Sequence, residues 1–305
     1  RKNCTQRPIW FMRQAGRYLP EFQEIRSNNK NFIDLCLNNN LSSEITLQPI
    51  KRFNLDAAII FSDILLIPYA LGQKVDFIKN QGPTLNNFDI NIFSKTNTET
   101  FTQKLKPIYE AIKKTRIKLS KEKSLIAFAG APWTLIIYML SLKINKEKID
   151  LFKLKKNFLN IKLTLNKLTD FICTHIHNQI KAGADVVQIF DSWAGLVPQA
   201  NLLEFCYNPN LKIVDFCKKN KIPVICFPKG LGVKYLEFNK HVKPDGLNID
   251  YEIDPVWAKK YLTQTTLQGG MNPQALLKSD NEMYEEAEKY LEMFKDVPYI
   301  FNLGH

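Results

Sequence analysis

The chain has 305 residues, 45% of them hydrophobic and 24% charged, and it carries a formal net charge of +12 at pH 7. This size and composition suit a globular protein with a large core, built as one big α/β domain or two ordinary ones. The apolar runs, such as residues 135–142, are far shorter than the roughly 20 residues of a membrane helix, so we expect no membrane span.

Eight short β-rich runs alternate with longer amphipathic stretches along the chain. The predicted strands are residues 8–12, 56–61, 125–129, 185–190, 223–227, 246–249, 266–268 and 299–303, and the clearest predicted helices are 98–119, 154–182, 202–219 and 281–294. Apolar strands that alternate with helices indicate a parallel sheet, and eight such units predict an α/β fold of the (β/α)8 TIM-barrel type. No repeat or linker divides the sequence, so we expect residues 1–305 to form a single catalytic domain.

Only Gly304 and His305 follow the eighth predicted strand. A barrel needs a helix to cover that strand, so the chain as given is expected to lack its last C-terminal segment. The chemistry of such barrels lies on the loops at the C-terminal ends of the strands. The residues at those positions are polar or glycine-rich, which predicts one common mouth: Arg13 and Arg17, Ser62-Asp63, Gly130 to Trp133, Asp191-Ser192-Trp193, Pro228-Lys229-Gly230, Asp250, Gly269 to Pro273, and Gly304-His305.

The arginines are concentrated at the N-terminus. Five of the seven fall within the first 26 positions, whereas the 35 lysines are spread along the whole chain. Retained arginines suggest bidentate gripping of carboxylate or phosphate, which lysine does badly. An anion clamp and a basic leader both explain the cluster, but the apolar run 8–12 and the turn residues between Arg13, Arg17 and Arg26 favour the clamp.

The scattered lysines do not indicate a nucleic-acid partner, although a positive field would speed the encounter with a polyanionic substrate. The six cysteines have no Cys-x-x-Cys spacing and are predicted to be buried thiols of a reducing compartment. Four histidines are too few for a convincing metal site. No phosphate-binding loop, dinucleotide fingerprint or serine elbow is present, so we expect neither a metal nor a cofactor.

Four strand-end or helix residues remain as candidates for chemistry, and each has an ordinary structural explanation. Asp63 suits the N-cap of the next helix. Tyr138 suits a core aromatic with a bonded hydroxyl. Ser192 suits a turn, and His305 suits a loop. Taken singly, these residues leave the function open.

Together, their sequence motifs resemble the uroporphyrinogen decarboxylase family. The matching segments are RPIWFMRQAGRYLPE at residues 7–21, FSDIL at 61–65, GP at 82–83, FAGAPWT at 128–134 with Tyr138 and Met139, FDSWAG at 190–195, LQG at 267–269 with Asn272 and Pro273, and FNLGH at 301–305. The motifs span essentially the whole chain in the family's order. The chain is identified on these motifs as a member of that family.

The resemblance implies a cofactor-independent carboxy-lyase. Family enzymes are (β/α)8 barrels, usually homodimers, that remove CO2 from the four acetate side chains of uroporphyrinogen III. The product is coproporphyrinogen III, an intermediate of haem synthesis. We therefore expect a tetrapyrrole substrate, no metal or cofactor, and a homodimer.

The resemblance also implies roles for individual residues. Asp63 would accept the pyrrole N–H groups and stay ionised as the counter-charge of a cationic intermediate. Arg13, or a neighbour, is the expected proton donor. The catalytic candidates are thus Asp63, Arg13 and Tyr138. The substrate-binding candidates are Arg13, Ala15, Arg17, Arg26, Phe61, Asp63, Tyr138, Ser192 and His305, with Phe61 and Trp133 forming an apolar floor.

The chain departs from the family pattern in two loops. It has Gly270-Met271-Asn272 where many members read Asn-Leu-Asp, and Pro228-Lys229-Gly230 where an Ala-Lys pattern is frequent. These departures put the shape of the rim in doubt more than the activity.

Two other functions compete with the decarboxylase. Cobalamin-independent methionine synthases and corrinoid methyltransferases share this kind of barrel, but they bind zinc through His and Cys, and no matching cluster lies on the late strand ends here. A basic nucleic-acid or scaffold protein would explain the charge but not the arginines beside Asp63. For the compartment, the Lys/Asn-rich sequence favours a plastid-type organelle, with the cytoplasm as the alternative.

Overall fold

The computed structural model describes residues 6–16, 18–78, 82–145 and 147–305. Within them, seven parallel strands form one sheet, in the order β1-β4-β5-β6-β7-β8-β9, and β2 and β3 form a separate antiparallel hairpin. The strands are β1 (Ala57–Ile59), β2 (Val75–Ile78), β3 (Gly82–Leu85), β4 (Ser124–Gly130), β5 (Val186–Asp191), β6 (Val224–Pro228), β7 (Gly246–Ile249), β8 (Thr266–Gly269) and β9 (Tyr299–Ile300).

The segment around Ile9 closes this sheet into a barrel. On one side, Ile9 pairs in parallel with Phe301, and the Phe301 amide donates to the Pro8 carbonyl over 2.8 Å. On the other side, the Asp56 amide donates to the Ile9 carbonyl over 3.0 Å, and the Ile9 amide donates to Asp56 Oδ2 over 2.8 Å. The segment therefore occupies the eighth strand position, between β1 and β9.

Helices follow the strands and cover the outside of the barrel. They are α1 (Pro20–Asn28), α2 (Phe32–Leu37), α3 (Asn39–Phe53), α4 (Leu66–Ala70), α5 (Ile90–Lys95), α6 (Thr98–Lys118), α7 (Pro132–Met139), α8 (Leu151–Lys156), α9 (Phe158–Lys181), α10 (Asn208–Lys219), α11 (Tyr235–Val242), α12 (Pro255–Tyr261) and α13 (Asp280–Met293). A π-helical turn, Leu203–Tyr207, leads directly into α10.

Short polar side chains start many of these helices. An Asn or Asp at the N-cap accepts hydrogen bonds from the first-turn amides, which satisfies donors that the helix itself leaves unpaired. The residues that do so are Asn31, Asn38, Asp89, Asn97, Asp150 and Asp254. At α13, Ser279 and Glu282 form a reciprocal capping box. The asparagine-rich composition is thus used to define helix starts.

The strands bury both faces, but the two faces differ in character. Outward residues such as Ala58 and Val187 join the large core under the helices, whereas Ala57, Ile59 and Ile126 point into the barrel together with Trp10. Opposite them, the interior is polar, because strands β5, β7 and β8 carry buried amide side chains there.

Gln268 joins these interior amides into a network. Its Oε1 accepts from the Trp10 indole over 3.1 Å. Its Nε2 donates to Gln188 Oε1 over 3.2 Å and to Asn248 Oδ1 over 2.8 Å. A side chain on β8 thereby holds the closing segment to β5 and β7.

The structure confirms the predicted TIM-barrel fold and corrects its details. The first predicted strand, 8–12, is reduced to the single bridge at Ile9, because only this short stretch lies between the two edge strands. The predicted helix 154–182 is divided at Asn157 into α8 and α9, and the helix 202–219 begins with the π-helical turn. The hairpin β2–β3 was not predicted at all. That residues 1–305 form one catalytic domain stays a prediction.

The interior network predicts a stability effect of Gln268→Met. The substitution keeps the side-chain length but leaves the Trp10 indole N–H and the amide oxygens of Gln188 and Asn248 without this partner. Buried polar groups that lose a partner cost about 1 to 3 kcal/mol, so urea unfolding should show a loss of that size. The exposed Gln103→Met on α6 is the control and should change stability by less than about 0.5 kcal/mol. Equal losses in both variants would contradict the network's importance.

Candidate active site

The loop after Ile9 is held rigidly at the mouth of the barrel. The buried Gln14 side chain accepts from the Phe11 amide over 3.0 Å and donates to the Ala57 carbonyl over 2.9 Å, which ties the loop to β1. Arg13 lies between these contacts and is exposed. Its charge acts on Asp63, Tyr138 and His305. The structure therefore brings these four predicted residues to one mouth.

The predicted clamp contains two further arginines, and the structure describes one of them. Arg17 lies outside the described residues. Arg26 donates through Nη1 to the carbonyls of Asn29 and Lys30, the latter over 2.8 Å, and its guanidinium lies 5.9 Å from the centre of the Phe32 ring. Arg26 thus secures the end of α1, and a role in gripping substrate stays a prediction. Ala15 is half-buried in the loop beside Arg13.

Asp63 follows β1 and is half-buried. Its Oδ1 accepts from the Leu65 amide over 2.8 Å, an Asx-type turn that leads into α4. Burial of the carboxylate raises its pKa to about 6, against the opposing effects of the Leu65 amide and Arg13. Among the described residues, only Leu65 donates to this carboxylate. Asp63 can therefore cap the turn before α4 and also have a functional role.

Two hydroxyl groups on α3 fix the end of β1 just before Asp63. Ser42 donates to the Phe61 carbonyl over 2.7 Å, and the Phe61 amide donates to Thr46 Oγ1 over 2.8 Å. Both hydroxyl residues are buried. Sequence reasoning missed them, because a Ser and a Thr four residues apart in a helix carry no specific signal.

The two aromatic residues predicted as an apolar floor are both buried. Phe61 packs its ring against Phe22 and Phe32, with centroid distances of 5.7 and 5.8 Å, and is 9% exposed. Trp133 is wholly buried, and it stacks on Phe205 at 5.4 Å. Trp133 has no exposed surface, and its assignment to the floor stays a prediction.

Other apolar side chains line the barrel interior below Arg13. Phe128 and Phe190, near the ends of β4 and β5, are half-buried, and their rings meet edge to face at 5.6 Å. Met12 packs against the same interior cluster. The apolar runs of these strands were recognised in the sequence, but which of their residues face inward was not.

Tyr138 and Ser192 lie on neighbouring elements at the mouth. Tyr138, on α7, is half-buried, and its ring centroid lies 6.3 Å from that of Trp193. Burial raises the pKa of its hydroxyl, so Tyr138 is a protonated donor at neutral pH. Ser192 is half-buried directly after β5.

The buried Asp191 holds the turn that presents Ser192. Its Oδ1 accepts from Thr134 Oγ1 over 2.7 Å, and its Oδ2 accepts from Asn210 Nδ2 over 3.1 Å. The same Thr134 hydroxyl accepts from the Trp193 amide over 3.1 Å. Burial raises the pKa of Asp191, and its full set of donors opposes that rise. Asp191 is therefore a scaffold carboxylate.

His305 lies at the mouth beside Lys229. Its Nδ1 is 3.1 Å from Lys229 Nζ, and its ring packs against Phe227 at a centroid distance of 6.0 Å. The residue as a whole is exposed, but burial of the ring, with the charges of Lys229 and Arg13, lowers its pKa to about 4. His305 is thus neutral at pH 7. Lys229 was not among the predicted site residues.

The described residues offer neither a candidate metal site nor a membrane-spanning helix. They contain no group of three or more His, Cys, Asp or Glu side chains that could hold a metal ion. They also contain no helix long and apolar enough to cross a membrane. The five described cysteines are buried free thiols, and Cys4 lies outside the described residues.

Comparison with known proteins agrees with this geometry. The family profile described as "Uroporphyrinogen decarboxylase (URO-D)" matches residues 1–305. Uroporphyrinogen decarboxylases of Rickettsia felis and Rickettsia akari are each 43% identical to the chain. Those two matches cover 100% and 99% of this chain and 89% and 90% of the relatives.

Among solved structures, a methyltransferase from Methanosarcina mazei matches with a TM-score of 0.78 at 16% identity, over 99% of this chain and 88% of that chain. A B12-independent methionine synthase from Shewanella sp. W3-18-1 matches with a TM-score of 0.56 at 8% identity, over 88% and 80%. At such identities the likeness shows the fold alone.

The barrel, with one half-buried carboxylate beside Arg13 at its mouth, is that of a TIM-barrel enzyme. The chain belongs to the uroporphyrinogen decarboxylase family. This confirms the resemblance seen in the motifs and decides against the methyltransferase and scaffold alternatives. The expected plastid-type compartment is wrong: the relatives are bacterial, bacteria have no plastids, and this points to the cytoplasmic alternative.

The raised pKa of Asp63 predicts a pH-dependent stability difference between wild type and Asp63→Asn. A carboxylate whose folded pKa lies above its unfolded value costs stability once ionised, fully above the folded pKa and not at all below the unfolded one. The asparagine variant should therefore be the more stable above pH 6, and its advantage should shrink as the pH falls from about 6 towards 4.

Urea unfolding at pH 8 and at pH 4.5 measures this difference, because Asn caps the turn as well as Asp does. Glu285→Gln, at an exposed position on α13, is the control and should give the same small change at both pH values. A constant difference between wild type and Asp63→Asn would mean that the carboxylate is not desolvated.

Proposed function

We propose that this protein removes CO2 from the four acetate side chains of uroporphyrinogen III to give coproporphyrinogen III, without a cofactor. The observation that supports the proposal is the placement of Asp63 at a mouth shared with Arg13, Tyr138 and His305. Membership of the uroporphyrinogen decarboxylase family supports the same reaction.

The mouth suits the chemistry of this substrate. Uroporphyrinogen carries carboxylates around a ring of pyrroles, so it needs cations at the rim and an apolar surface beneath the ring. Arg13 and Lys229 supply positive charge, and Met12, Phe128 and Phe190 supply the apolar surface. We further propose that Ala15, Arg17, Arg26, Phe61 and Ser192 contribute to binding, as the family resemblance implies.

Asp63 is proposed to accept the pyrrole N–H groups and to stabilise the cation formed during decarboxylation. A proton adds to a pyrrole carbon, the bond to the carboxylate carbon breaks, and CO2 leaves with its electrons returned to the ring. The exposed methylene takes a second proton while the ring carbon loses the first, so each acetate consumes one proton and becomes a methyl group. Fixed counter-charges of this kind contribute about 3 to 4 kcal/mol.

Protonation states at the mouth are consistent with these roles. With a pKa of about 6, Asp63 is roughly tenfold more ionised than protonated at pH 7. Tyr138 keeps its proton and can donate a hydrogen bond to a substrate carboxylate. Arg13 is proposed as the donor of the first proton, because its charge acts at the same mouth as Asp63.

Incubation of the purified protein with uroporphyrinogen III under anaerobic conditions tests the proposed reaction. Products with seven, six, five and four carboxylates should appear in sequence. An unchanged substrate, with a correctly folded protein, would overturn the proposal. The homodimer rests on the family resemblance and the absence of a nucleic-acid partner on the scattered lysines, and both remain predictions.

Asp63→Asn is expected to fold normally and to lose about 100- to 1,000-fold in kcat, the range seen when one fixed electrostatic group is removed. Asp63→Glu should keep some activity through a displaced carboxylate. For the wild type, kcat/KM should fall as the pH is lowered through about 6, because Asp63 becomes protonated. Near-normal turnover in Asp63→Asn would remove Asp63 from the mechanism.

Arg13→Lys tests whether geometry or charge matters at the clamp. Lysine keeps the charge but lacks the planar fork that grips a carboxylate through two N–H groups. We expect at least about a tenfold loss of kcat/KM, equivalent to about 1.4 kcal/mol. The control is Lys121→Arg, at an exposed position in the loop before β4, which should leave kcat/KM unchanged. A lysine variant equal to wild type would show that Arg13 acts only as a diffuse charge.

A further inference from the structure

Lys229 makes a contact that determines which nitrogen of His305 carries a proton. The two side chains meet at 3.1 Å between Lys229 Nζ and His305 Nδ1. An ammonium group has donors and no acceptor, so Nδ1 must be the acceptor in this contact. The ring proton of neutral His305 is then on Nε2. The chemistry of Lys229 therefore selects one tautomer.

The backbone around Lys229 is fixed by contacts from the ends of two other strands, β5 and β7. Its amide donates to the Asp191 carbonyl over 3.1 Å, and its carbonyl accepts from the Gly195 amide over 2.9 Å. The following Gly230 amide donates to Asp250 Oδ2 over 2.8 Å. Lys229 is thus joined to the ends of β5 and β7 as well as to β6, which carries it.

Two glycines make this arrangement sterically possible. Gly230 adopts a φ of +80°, a left-handed conformation that favours glycine. A Cβ atom at Gly195 would lie 2.5 Å from the Gly230 carbonyl oxygen, so the two loops can approach only without it. Asp250 is held in turn by the Tyr235 hydroxyl over 3.1 Å. The lysine is therefore presented by a rigid frame rather than by a mobile loop.

The surroundings of His305 agree with a neutral ring held in one orientation. Phe227 packs on the ring, and the charged groups that act on it, Lys229 and Arg13, both disfavour a second ring proton. The Gly304 amide donates to the Met271 carbonyl over 2.7 Å and so holds the backbone just before His305. With Nδ1 engaged, the donor that remains for a ligand is Nε2–H.

We propose that Lys229 is a positioning residue that holds His305 as the Nε2–H tautomer, so that His305 donates a hydrogen bond to a carboxylate of the substrate. This inference rests on the proposed function for the identity of the carboxylate. The tautomer itself does not depend on any reaction. A lysine in this place orients His305 and adds positive charge to the rim with one side chain.

Nuclear magnetic resonance of protein labelled with ¹⁵N in its histidine rings tests the tautomer without substrate. The chain has four histidines, and His305→Asn identifies the signals of His305. Wild type at pH 7.5 should show an unprotonated Nδ1 and a protonated Nε2. Lys229→Met should convert these signals to an averaged mixture of tautomers, and Lys229→Arg should restore the wild-type pattern. An unchanged pattern in Lys229→Met would overturn the proposal.

Steady-state kinetics test whether the substrate uses this orientation. Lys229→Met should raise KM for uroporphyrinogen roughly tenfold, the loss expected for one hydrogen bond to a charged group, and should lower kcat less. Lys229→Arg should recover most of that loss. Lys240→Met, at an exposed position on α11, removes the same charge away from the mouth and should leave KM unchanged.

A double-mutant comparison separates action through His305 from a direct effect of charge. If Lys229 acts through the histidine, Lys229→Met should have little further effect on KM in a His305→Asn background, because effects of coupled residues do not add. Additive effects would overturn the positioning role. A protein with the expected tautomer but no decarboxylase activity would refute the proposed function and leave the tautomer assignment standing.

Discussion

The hydrogen bonds that hold Ile9 between the two edge strands of the sheet are the contacts on which the site depends. They join the beginning of the chain to β1 and to the segment after β9, and so close the barrel. Because parallel strands end at the same rim, this closure places Arg13, Asp63 and His305 at one mouth although they are far apart in sequence. Without it, Arg13 would not be held beside Asp63 and His305.

Three carboxylates end strands of this barrel, and their hydrogen bonds separate scaffold from function. Asp191 and Asp250 are buried and accept from several side-chain or backbone donors, so their charge is used to hold loops. Burial raises the pKa of Asp63 as it does that of Asp191, but Asp63 accepts from only one backbone amide among the described residues. With fewer donors among the described residues, Asp63 is the better candidate for chemistry. The same position in a strand thus serves two purposes.

The structural likeness to methyltransferases illustrates how little the barrel itself says about the reaction. The methyltransferase from Methanosarcina mazei shares the fold at 16% identity, whereas the Rickettsia relatives at 43% identity share the family. A barrel can exchange its strand-end residues without changing its core, so the shared fold does not fix the reaction. Here those residues are arginine, aspartate, tyrosine and a neutral histidine beside a lysine.

The sequence alone determined the alternation of strands and helices, the strand-end positions of Asp63, Ser192 and His305, and the family. Short apolar runs and short motifs are local properties, and a local pattern can be read without coordinates. The sequence pattern predicted too long a first strand. The position of Ile9 is fixed by its partners Asp56 and Phe301 rather than by its own strand propensity.

Only the tertiary structure decided which aromatic residues face the mouth, that Trp133 is buried, and that Ser42 and Thr46 fix the end of β1. It also decided that Lys229 meets His305, across 76 positions of sequence. These are contacts between residues whose types are individually ordinary, and their meaning comes from the distance and direction between side chains. The closure of the barrel sets that distance, and no local pattern encodes it.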